Sequence, residues 1–252
     1  MIARARLTAP GATCLFLLAV LAAGCDSSTD TPTSPGGTLQ VVAPRATLRA
    51  GETVPLTAAS GGAPVAGLTW VSTDTTVVAV SAAGQATAGR PGRATVTASS
   101  GTASGSVALR VVPDYNGTWR GGASRIQLAC NPASTTPICA PGAATGGTIT
   151  LSVTQVGDLL TGTLVDSAEP TATVPLTGQV AADDQLALAG RIDVPTTTPT
   201  LRVEVSTLRG TIDPILGTMT GSYGLFVDRA RTGGNLQDDY RTQVQFRDMR
   251  RQ

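Results

Sequence analysis

The 252-residue sequence contains no histidine and no lysine, so all 18 of its basic residues are arginine. Without histidine, the chain cannot build a Ser-His-Asp or Cys-His catalytic set, a histidine metal site or a histidine general base. Without lysine, it cannot form a Schiff base or supply the lysine of a phosphate-binding loop. These absences exclude most familiar hydrolases and transferases, and we predict no enzymatic activity, no cofactor and no metal site.

The sequence also lacks a strong charge of either sign, because its formal net charge is +1 at pH 7. A nearly neutral chain gives no electrostatic reason to expect nucleic acid as a partner. Between residues 38 and 113, no segment has a convincing helical period. The apolar residues instead form short alternating runs, and this pattern predicts an all-β protein.

The first 24 residues are organised like an export signal. Arg4 and Arg6 precede the apolar run 15–23, which stops just before Cys25. A basic segment, an apolar stretch of about 7–15 residues and a small-residue exit are typical of a secretory signal, and the run is too short to span a membrane. We therefore predict a signal peptide over residues 1–24.

The junction Ala22-Ala23-Gly24 before Cys25 resembles the lipobox of bacterial lipoproteins. The resemblance implies cleavage before Cys25, a lipid such as palmitate on its sulfur and attachment to a membrane of the bacterial cell envelope, facing the periplasm or the surface. Ala22 departs from the usual leucine, and an ordinary signal peptide with an incidental cysteine is the alternative. Residues 25–37 are polar and rich in proline and glycine, which predicts a disordered tether after the lipid.

Two further cysteines, Cys130 and Cys139, lie nine residues apart. In an oxidising exported compartment we expect them to form a disulfide that closes a short loop. A reactive thiol pair is the alternative, but no nearby lysine or histidine is available to lower a thiol pKa.

Residues 38–113 contain alternating runs about 8–12 residues apart, separated by Gly, Pro and Asp, which predicts an antiparallel β-sandwich. The segments that carry a family resemblance are Gly51–Val54, Leu68–Asp74, Val77–Val80, Gly84 and Arg90–Ala98. They resemble the bacterial Ig-like domain, group 2. The resemblance implies an immunoglobulin-like fold and contact with cell-surface or carbohydrate partners.

Within this domain, three features have expected structural roles. Trp70 should be a large core residue between the sheets. Ser72 and Asp74 should cap the following turn through hydrogen bonds to the backbone. Pro91-Gly92 should make the reversal into the next strand.

Residues 114–252 repeat a short unit, apolar–x–Gly–x–apolar, which places both apolar residues and the glycine on one face of a strand. Glycine there permits sharp bending, as in small barrels. Joints at Gly157-Asp158, Ala182–Asp184 and Asp213-Pro214 are short enough for hairpins. We predict an antiparallel meander of about eight strands that closes into a β-barrel, with another barrel or sandwich as the alternative. The six units begin at Tyr115, Leu160, Leu176, Leu188, Leu208 and Met219.

The barrel segment also resembles the calycins, the lipocalin and avidin barrels. Gly117-Thr-Trp119 opens the first strand, and Arg241 and Arg247 occur near the end of the chain. The resemblance implies that Trp119 packs at the closed end of the barrel beneath a late arginine.

Candidate binding residues are found near the end of the chain. Tyr223, Phe226 and Tyr240 are predicted to line the barrel mouth and hold an apolar or sugar ligand, unless they only fill the interior. The polar segment Asp228–Asp239 is the best candidate loop for recognition of a polar partner, with a loop without function as the alternative.

Two acidic pairs are weaker candidates for a site. Asp183-Asp184 and Asp238-Asp239 offer carboxylates for calcium or for acid–base chemistry. Adjacent residues in a strand point to opposite faces, and both pairs fall in expected turns, so we interpret them as solvated turn acids.

We therefore expect a non-catalytic cell-envelope lipoprotein for binding or adhesion, with the Ig-like domain as a stalk and the barrel as the recognition module. Its partners would be the membrane, through the lipid, and a cell-surface carbohydrate or protein. One alternative is a carrier of a small apolar ligand, which needs an apolar cavity in the barrel. Another is a carboxylate-dependent glycoside hydrolase, which needs two carboxylates facing one cleft.

Overall fold

The computed structural model describes residues 37–134, 136–139, 146–169, 172–195, 200–230 and 236–252. The predicted signal peptide, Cys25 and all but the last residue of the tether lie outside these ranges. The described residues form β-strands and one short 3-10 turn, Pro137–Cys139, which confirms the all-β prediction. They contain no helix long and apolar enough to cross a membrane.

The first half of the described chain is a sandwich of ten short strands. The strands are β1 (Gln40–Val42), β2 (Thr47–Arg49), β3 (Thr53–Pro55), β4 (Thr57–Ser60), β5 (Ala63–Pro64), β6 (Thr69–Ser72), β7 (Val78–Val80), β8 (Gln85–Ala88), β9 (Gly92–Ser100) and β10 (Ala103–Val112). One sheet has the order β2-β10-β9-β6, and two three-stranded sheets have the orders β1-β4-β5 and β3-β8-β7. All strand pairs are antiparallel except β2 with β10.

The sandwich core comes from the alternation seen in the sequence. In β9, every second side chain from Ala94 to Ala98 is buried. Trp70 is half-buried and packs against both apolar clusters of the sandwich, so it fills the core edge and not its centre. Asp74 caps its turn as expected, since its Oδ1 accepts hydrogen bonds from the amides of Thr76 (2.9 Å) and Val77 (3.3 Å).

The second half is a closed eight-stranded barrel, which confirms the predicted meander. Each strand is antiparallel to the next, and the last strand closes on the first. The strands are β11 (Gly117–Cys130), β12 (Gly146–Val156), β13 (Leu159–Asp166), β14 (Thr173–Val180), β15 (Leu186–Val194), β16 (Leu201–Asp213), β17 (Thr218–Ala230) and β18 (Leu236–Arg251).

The repeated glycines let neighbouring barrel strands approach closely. A Cβ at Gly162 would overlap the carbonyl oxygen of Ser152, and a Cβ at Gly190 would overlap that of Pro175. The apolar residues on either side of these glycines point into the barrel, as Leu160 and Leu164 do. The unit read from the sequence therefore marks places where the sheet coils around a packed interior.

The two ends of the barrel differ. At one end, which we call the lower end, β11 begins and β18 finishes, and short turns join β12–β13, β14–β15 and β16–β17. At the opposite, upper end, β11, β13, β15 and β17 finish and β12, β14, β16 and β18 begin. The 3-10 turn Pro137–Cys139 follows β11, and Ser167–Glu169 follow β13.

The sandwich joins the lower end through a closely bonded linker. The amide of Tyr115 donates to Gln155 Oε1 (2.7 Å), and Gln155 Nε2 donates to the carbonyl of Pro113 (3.0 Å). The Asp114 carboxylate pairs with Arg49 of the sandwich (3.1 Å) and with Arg251 of the barrel (2.9 Å). These hydrogen bonds and ion pairs fix the linker to the lower end of the barrel.

Candidate binding site at the upper end of the barrel

A cavity of about 270 Å³ opens at the upper end of the barrel. It is bordered by β11, by the residues that follow β13, by the end of β17 and by the segment that contains the 3-10 turn. We call it the upper cavity, and the residues that line it are Arg125, Thr136, Ile138, Gly146, Ser167, Ala168, Glu169 and Arg229.

One side of the upper cavity is formed by a buried ion pair between Arg125 and Asp166. Both side chains are only 4% exposed, and Arg125 Nη2 donates to Asp166 Oδ1. The Tyr223 hydroxyl donates to Asp166 Oδ2, and the Ala168 amide donates to Oδ1 (2.9 Å). Arg125 Nε is buried and has no hydrogen-bond partner in the described part of the chain.

The other side is formed by a second ionic group centred on Glu169. Its Oε1 accepts hydrogen bonds from Arg229 Nη2 (2.5 Å) and from the Tyr240 hydroxyl (2.9 Å). Arg229 Nε also donates to Asp239 Oδ2 (2.7 Å), so one guanidinium joins two carboxylates. These fixed pairs hold Glu169 and Arg229 in place against the cavity.

The electrostatics of this region keep Tyr223 and Tyr240 protonated and Arg229 charged. Burial, followed by the charges of Asp166 and Glu169 respectively, raises the pKa of Tyr223 and of Tyr240 well above the usual value. Burial alone would lower the pKa of Arg229, but Glu169 and Asp239 outweigh it and raise that pKa. The phenols therefore remain hydrogen-bond donors and the guanidinium remains charged.

The wall that carries Ile138 is held by a disulfide. Cys130 and Cys139 are bonded, with their Cα atoms 5.9 Å apart, which confirms the predicted pairing. Asn131 fixes the same segment to β18, because its amide donates to the Asp239 carbonyl (2.8 Å) and its Nδ2 to the Asp238 carbonyl (3.0 Å). The segment that forms this side of the cavity is thus held by a covalent cross-link.

A comparison with protein families assigns the sandwich. Residues 38–111 match the model of the bacterial Ig-like domain, group 2. The sandwich is a bacterial Ig-like domain of group 2. The match spans its described strands almost completely and leaves the barrel outside. No curated protein matches the chain by sequence.

The prediction of solvated acids holds for one residue of each pair, because Asp183 is exposed in its turn and Asp238 is exposed in β18. Asp184 binds Arg110 of the Ig-like domain (2.8 Å), so it serves the junction between the Ig-like domain and the barrel. Asp239 is fully buried in β18 and pairs with Arg229, so its assignment as a solvated turn acid is wrong. Among the described residues, no group of three Cys, Asp or Glu side chains is placed to hold a metal ion.

Two of the three predicted aromatic site residues point into the barrel. Tyr223 and Tyr240 are buried, and their hydroxyls bind the carboxylates behind the upper cavity. The prediction that Phe226 lines the barrel mouth is wrong, because Phe226 lies on the outer face beneath the guanidinium of Arg241, 5.3 Å from its ring centroid. Phe226 alternates with the inward Leu225 and Val227, and side chains in a strand alternate between faces.

The predicted recognition loop is shorter than expected. Asp228–Ala230 belongs to β17 and Leu236–Asp239 to β18, so strand pairing takes up both ends of the segment. The part between them, 231–235, lies outside the described residues.

Sequence reasoning missed three of the four charged residues of the cavity region, Arg125, Asp166 and Glu169. The fourth, Arg229, lies inside the predicted recognition segment Asp228–Asp239. Arg125 occupies an inward position two residues after Ala123, and Asp166 one two residues after Leu164. A charged residue at a strand position where the alternation predicts a buried apolar residue could therefore have been recognised in the sequence. Glu169 lies in a connection, where no such phase applies.

Proposed function

We propose that this protein is a non-catalytic lipoprotein of the bacterial cell envelope, anchored by a lipid on Cys25, which binds its partner at the upper end of the barrel. The observation that carries the proposal is the upper cavity, because charged side chains line it and a hydrogen-bonded network holds them in place. A preorganised concave site with a few fixed polar groups is the usual form of a binding site.

The Ig-like domain serves as the stalk. Thr38, where the domain begins, bridges to Ser104 near the start of β10, whereas the chain leaves for the barrel after Val112 at the other end of that strand. At about 3.3 Å per residue, this separates the beginning of the domain from the barrel by about 25 Å. The tether and the barrel thus attach at opposite ends of the Ig-like domain.

The ends of the barrel support the same arrangement. The lower end is occupied by the linker, where Tyr115 and Trp119 are fully or almost fully buried, and by the Ig-like domain through Arg110. The upper cavity lies at the opposite end of the barrel, away from these contacts with the Ig-like domain, and Thr136, Ile138 and Ser167–Glu169 line it from outside the strands. Binding residues are commonly placed on connections held by a rigid scaffold.

Neither alternative function has an observation in its favour. For an apolar carrier, the inward positions are filled by packed side chains such as Leu176, Val205 and Phe246, and the upper cavity is lined by charges. Native mass spectrometry of the full chain would detect a retained apolar ligand.

For a glycoside hydrolase, Asp166 and Glu169 are each bound to an arginine and a tyrosine. Hydrolysis of nitrophenyl glycosides would reveal such an activity.

Anchoring is tested with Cys25→Ser in the organism that produces the protein. The unsubstituted chain should incorporate labelled palmitate and sediment with membranes, and the variant should lose both properties. Membrane sedimentation of the variant without label would contradict the lipid anchor.

Binding is tested with the purified full chain and cell-envelope fragments. Ala168→Trp places a large ring at the upper cavity and should abolish binding. Ala189→Trp, on the exposed outer face of β15, is the matched control and should bind normally. Equal binding by both variants would contradict a recognition site in the upper cavity.

A further inference from the structure

We propose that the upper cavity holds a neutral polyhydroxylated group, such as one terminal sugar residue of an envelope glycan, and discriminates against charged ligands. This inference rests on the proposed function and adds the chemical class of the ligand. It follows from how the charges of the cavity are paired and from which hydrogen-bonding groups remain available.

Each charged side chain that lines the cavity already has a partner of opposite charge. Arg125 is paired with Asp166, and Arg229 is paired with both Glu169 and Asp239. The side chains of Arg125, Asp166 and Glu169 are each at least nine-tenths buried, so breaking one of these pairs would leave an uncompensated charge in a poorly solvated site. A charged ligand must either break a pair or bring its own unpaired charge. A neutral ligand requires neither.

The paired groups still have hydrogen-bonding capacity. Glu169 accepts both of its side-chain hydrogen bonds at Oε1, and its Oε2 has no partner among the described residues. Arg125 bonds through Nη2 alone and Arg229 through Nε and Nη2, while each guanidinium carries five N–H donors. The cavity lining therefore offers one carboxylate acceptor and two guanidinium donors.

Adjacent hydroxyls complement such an arrangement. One hydroxyl can donate to Glu169 Oε2 while its oxygen accepts from a guanidinium, and a neighbouring hydroxyl can accept from the other guanidinium. Ile138 and Ala168 add apolar surface to the lining, against which the C–H face of a sugar ring can pack. A simple alcohol or an alkane cannot satisfy all of these groups, whereas a sugar ring can.

The volume of the cavity matches one small ring. Pockets for drug-sized ligands are about 300–1,000 Å³, whereas this cavity is about 270 Å³. An exposed chain end therefore fits the cavity better than the middle of a polymer.

The test is titration of the isotope-labelled full chain with single sugars, followed by NMR of the backbone amides. The probes are D-glucose, D-galactose, D-mannose and N-acetyl-D-glucosamine, with D-glucosamine and D-glucuronate as charged counterparts. We expect at least one neutral sugar to shift the amides of Ser167–Glu169 saturably. Its charged counterparts should bind at least tenfold more weakly.

Two variants localise the effect. Glu169→Gln should weaken sugar binding at least tenfold, whereas Glu204→Gln, on the exposed outer face of β16, should leave it unchanged. The amide spectrum of Glu169→Gln reports whether the barrel remains folded. If the barrel of Glu169→Gln does not fold, Ala168→Trp, which changes none of the ion-paired residues, serves as the variant that obstructs the cavity.

The outcomes separate this inference from the proposed function. Envelope binding that Ala168→Trp abolishes, without any response to neutral sugars, would overturn the ligand class and leave the function intact. Stronger binding of a charged counterpart would overturn it in the same way. If the unsubstituted chain bound neither envelope fragments nor sugars, both the proposed function and the ligand class would be contradicted.

Discussion

The guanidinium of Arg251 lies over the indole of Trp119, 4.8 Å from the ring centroid. The same guanidinium donates to Asp114 Oδ2 (2.9 Å), and Asp114 also binds Arg49 of the Ig-like domain. The stack that closes the lower end of the barrel is therefore continuous with the contact to its neighbouring domain. The resemblance to calycins predicted a late arginine above Trp119, but the residues named for it, Arg241 and Arg247, were the wrong ones.

Replacing Arg251 with alanine should destabilise the barrel by about 1–2 kcal/mol. The loss combines a cation–π contact with a partly exposed ion pair that solvent screens. Urea unfolding followed by tryptophan fluorescence measures the change. Arg247→Ala is the matched control, because Arg247 is an exposed arginine of the same strand, and it should change stability by less than about 0.5 kcal/mol. Equal effects of the two variants would show that the stack contributes nothing.

The three tyrosines of the chain should all fail to ionise in the folded protein near pH 10. Burial, as the largest cause, raises the pKa of Tyr115 to about 12 and raises the pKa of Tyr223 and Tyr240 as well. Absorbance at 295 nm should therefore stay flat through pH 10–11. The chain unfolded in guanidinium chloride should titrate near the ordinary value of about 10.

The same shifts predict how stability depends on pH. Above pH 10 the unfolded chain releases phenolic protons that the folded chain keeps, so the unfolded state binds fewer protons and the free energy of unfolding falls as pH rises. This contribution is complete below about pH 10 and is lost as pH rises towards the folded-state pKa values. Tyrosine ionisation should coincide with cooperative unfolding, and one tyrosine titrating normally in the folded state would contradict the prediction.

Removing the disulfide should cost about 2–3 kcal/mol. The bond closes a loop with a sequence separation of 9 residues, and the estimate is the loop-closure entropy that it removes from the unfolded chain. Chemical denaturation of Cys130→Ser/Cys139→Ser measures the loss, and the reduced unsubstituted chain should match the variant. Because Ile138 and Cys139 pack on the barrel core, the variant should also bind envelope fragments more weakly. Unchanged binding would show that the wall does not need the covalent closure.

The barrel could be predicted from the sequence because its signal is local. A unit such as Leu160–Leu164 fixes an inward face, and joints such as Gly157-Asp158 fix the hairpins. The error at Phe226 was also local, since residues 223 and 226 are an odd number apart and face opposite sides of an unbroken strand.

The upper cavity could not be predicted in the same way. Arg125, Asp166, Glu169 and Arg229 come from distant segments and meet only when the barrel closes in one register. The arginine above Trp119 depends on irregular pairing near Asp248, whose φ of 52° interrupts the alternation of β18. Strand alternation read from the sequence does not locate such interruptions.

The buried pair of Arg125 and Asp166 should show strong energetic coupling. Arg125→Met leaves the Asp166 carboxylate unpaired inside the barrel and should cost about 3–5 kcal/mol. Asp166→Asn removes the charge and keeps an acceptor for the Tyr223 hydroxyl and the Ala168 amide. The double variant should therefore be more stable than Arg125→Met alone, although two residues have been changed.

A matched pair on the barrel surface provides the control for this cycle. Arg202 and Asp193 form a two-pronged ion pair (2.7 and 2.9 Å) on the exposed face of β15 and β16. Solvent screens this pair, so Arg202→Met should cost only about 0–1 kcal/mol, and its effect should add to that of Asp193→Asn. If the buried cycle were additive as well, Arg125 and Asp166 would not act as a unit. The fixed charges invoked for recognition in the upper cavity would then lose their physical basis.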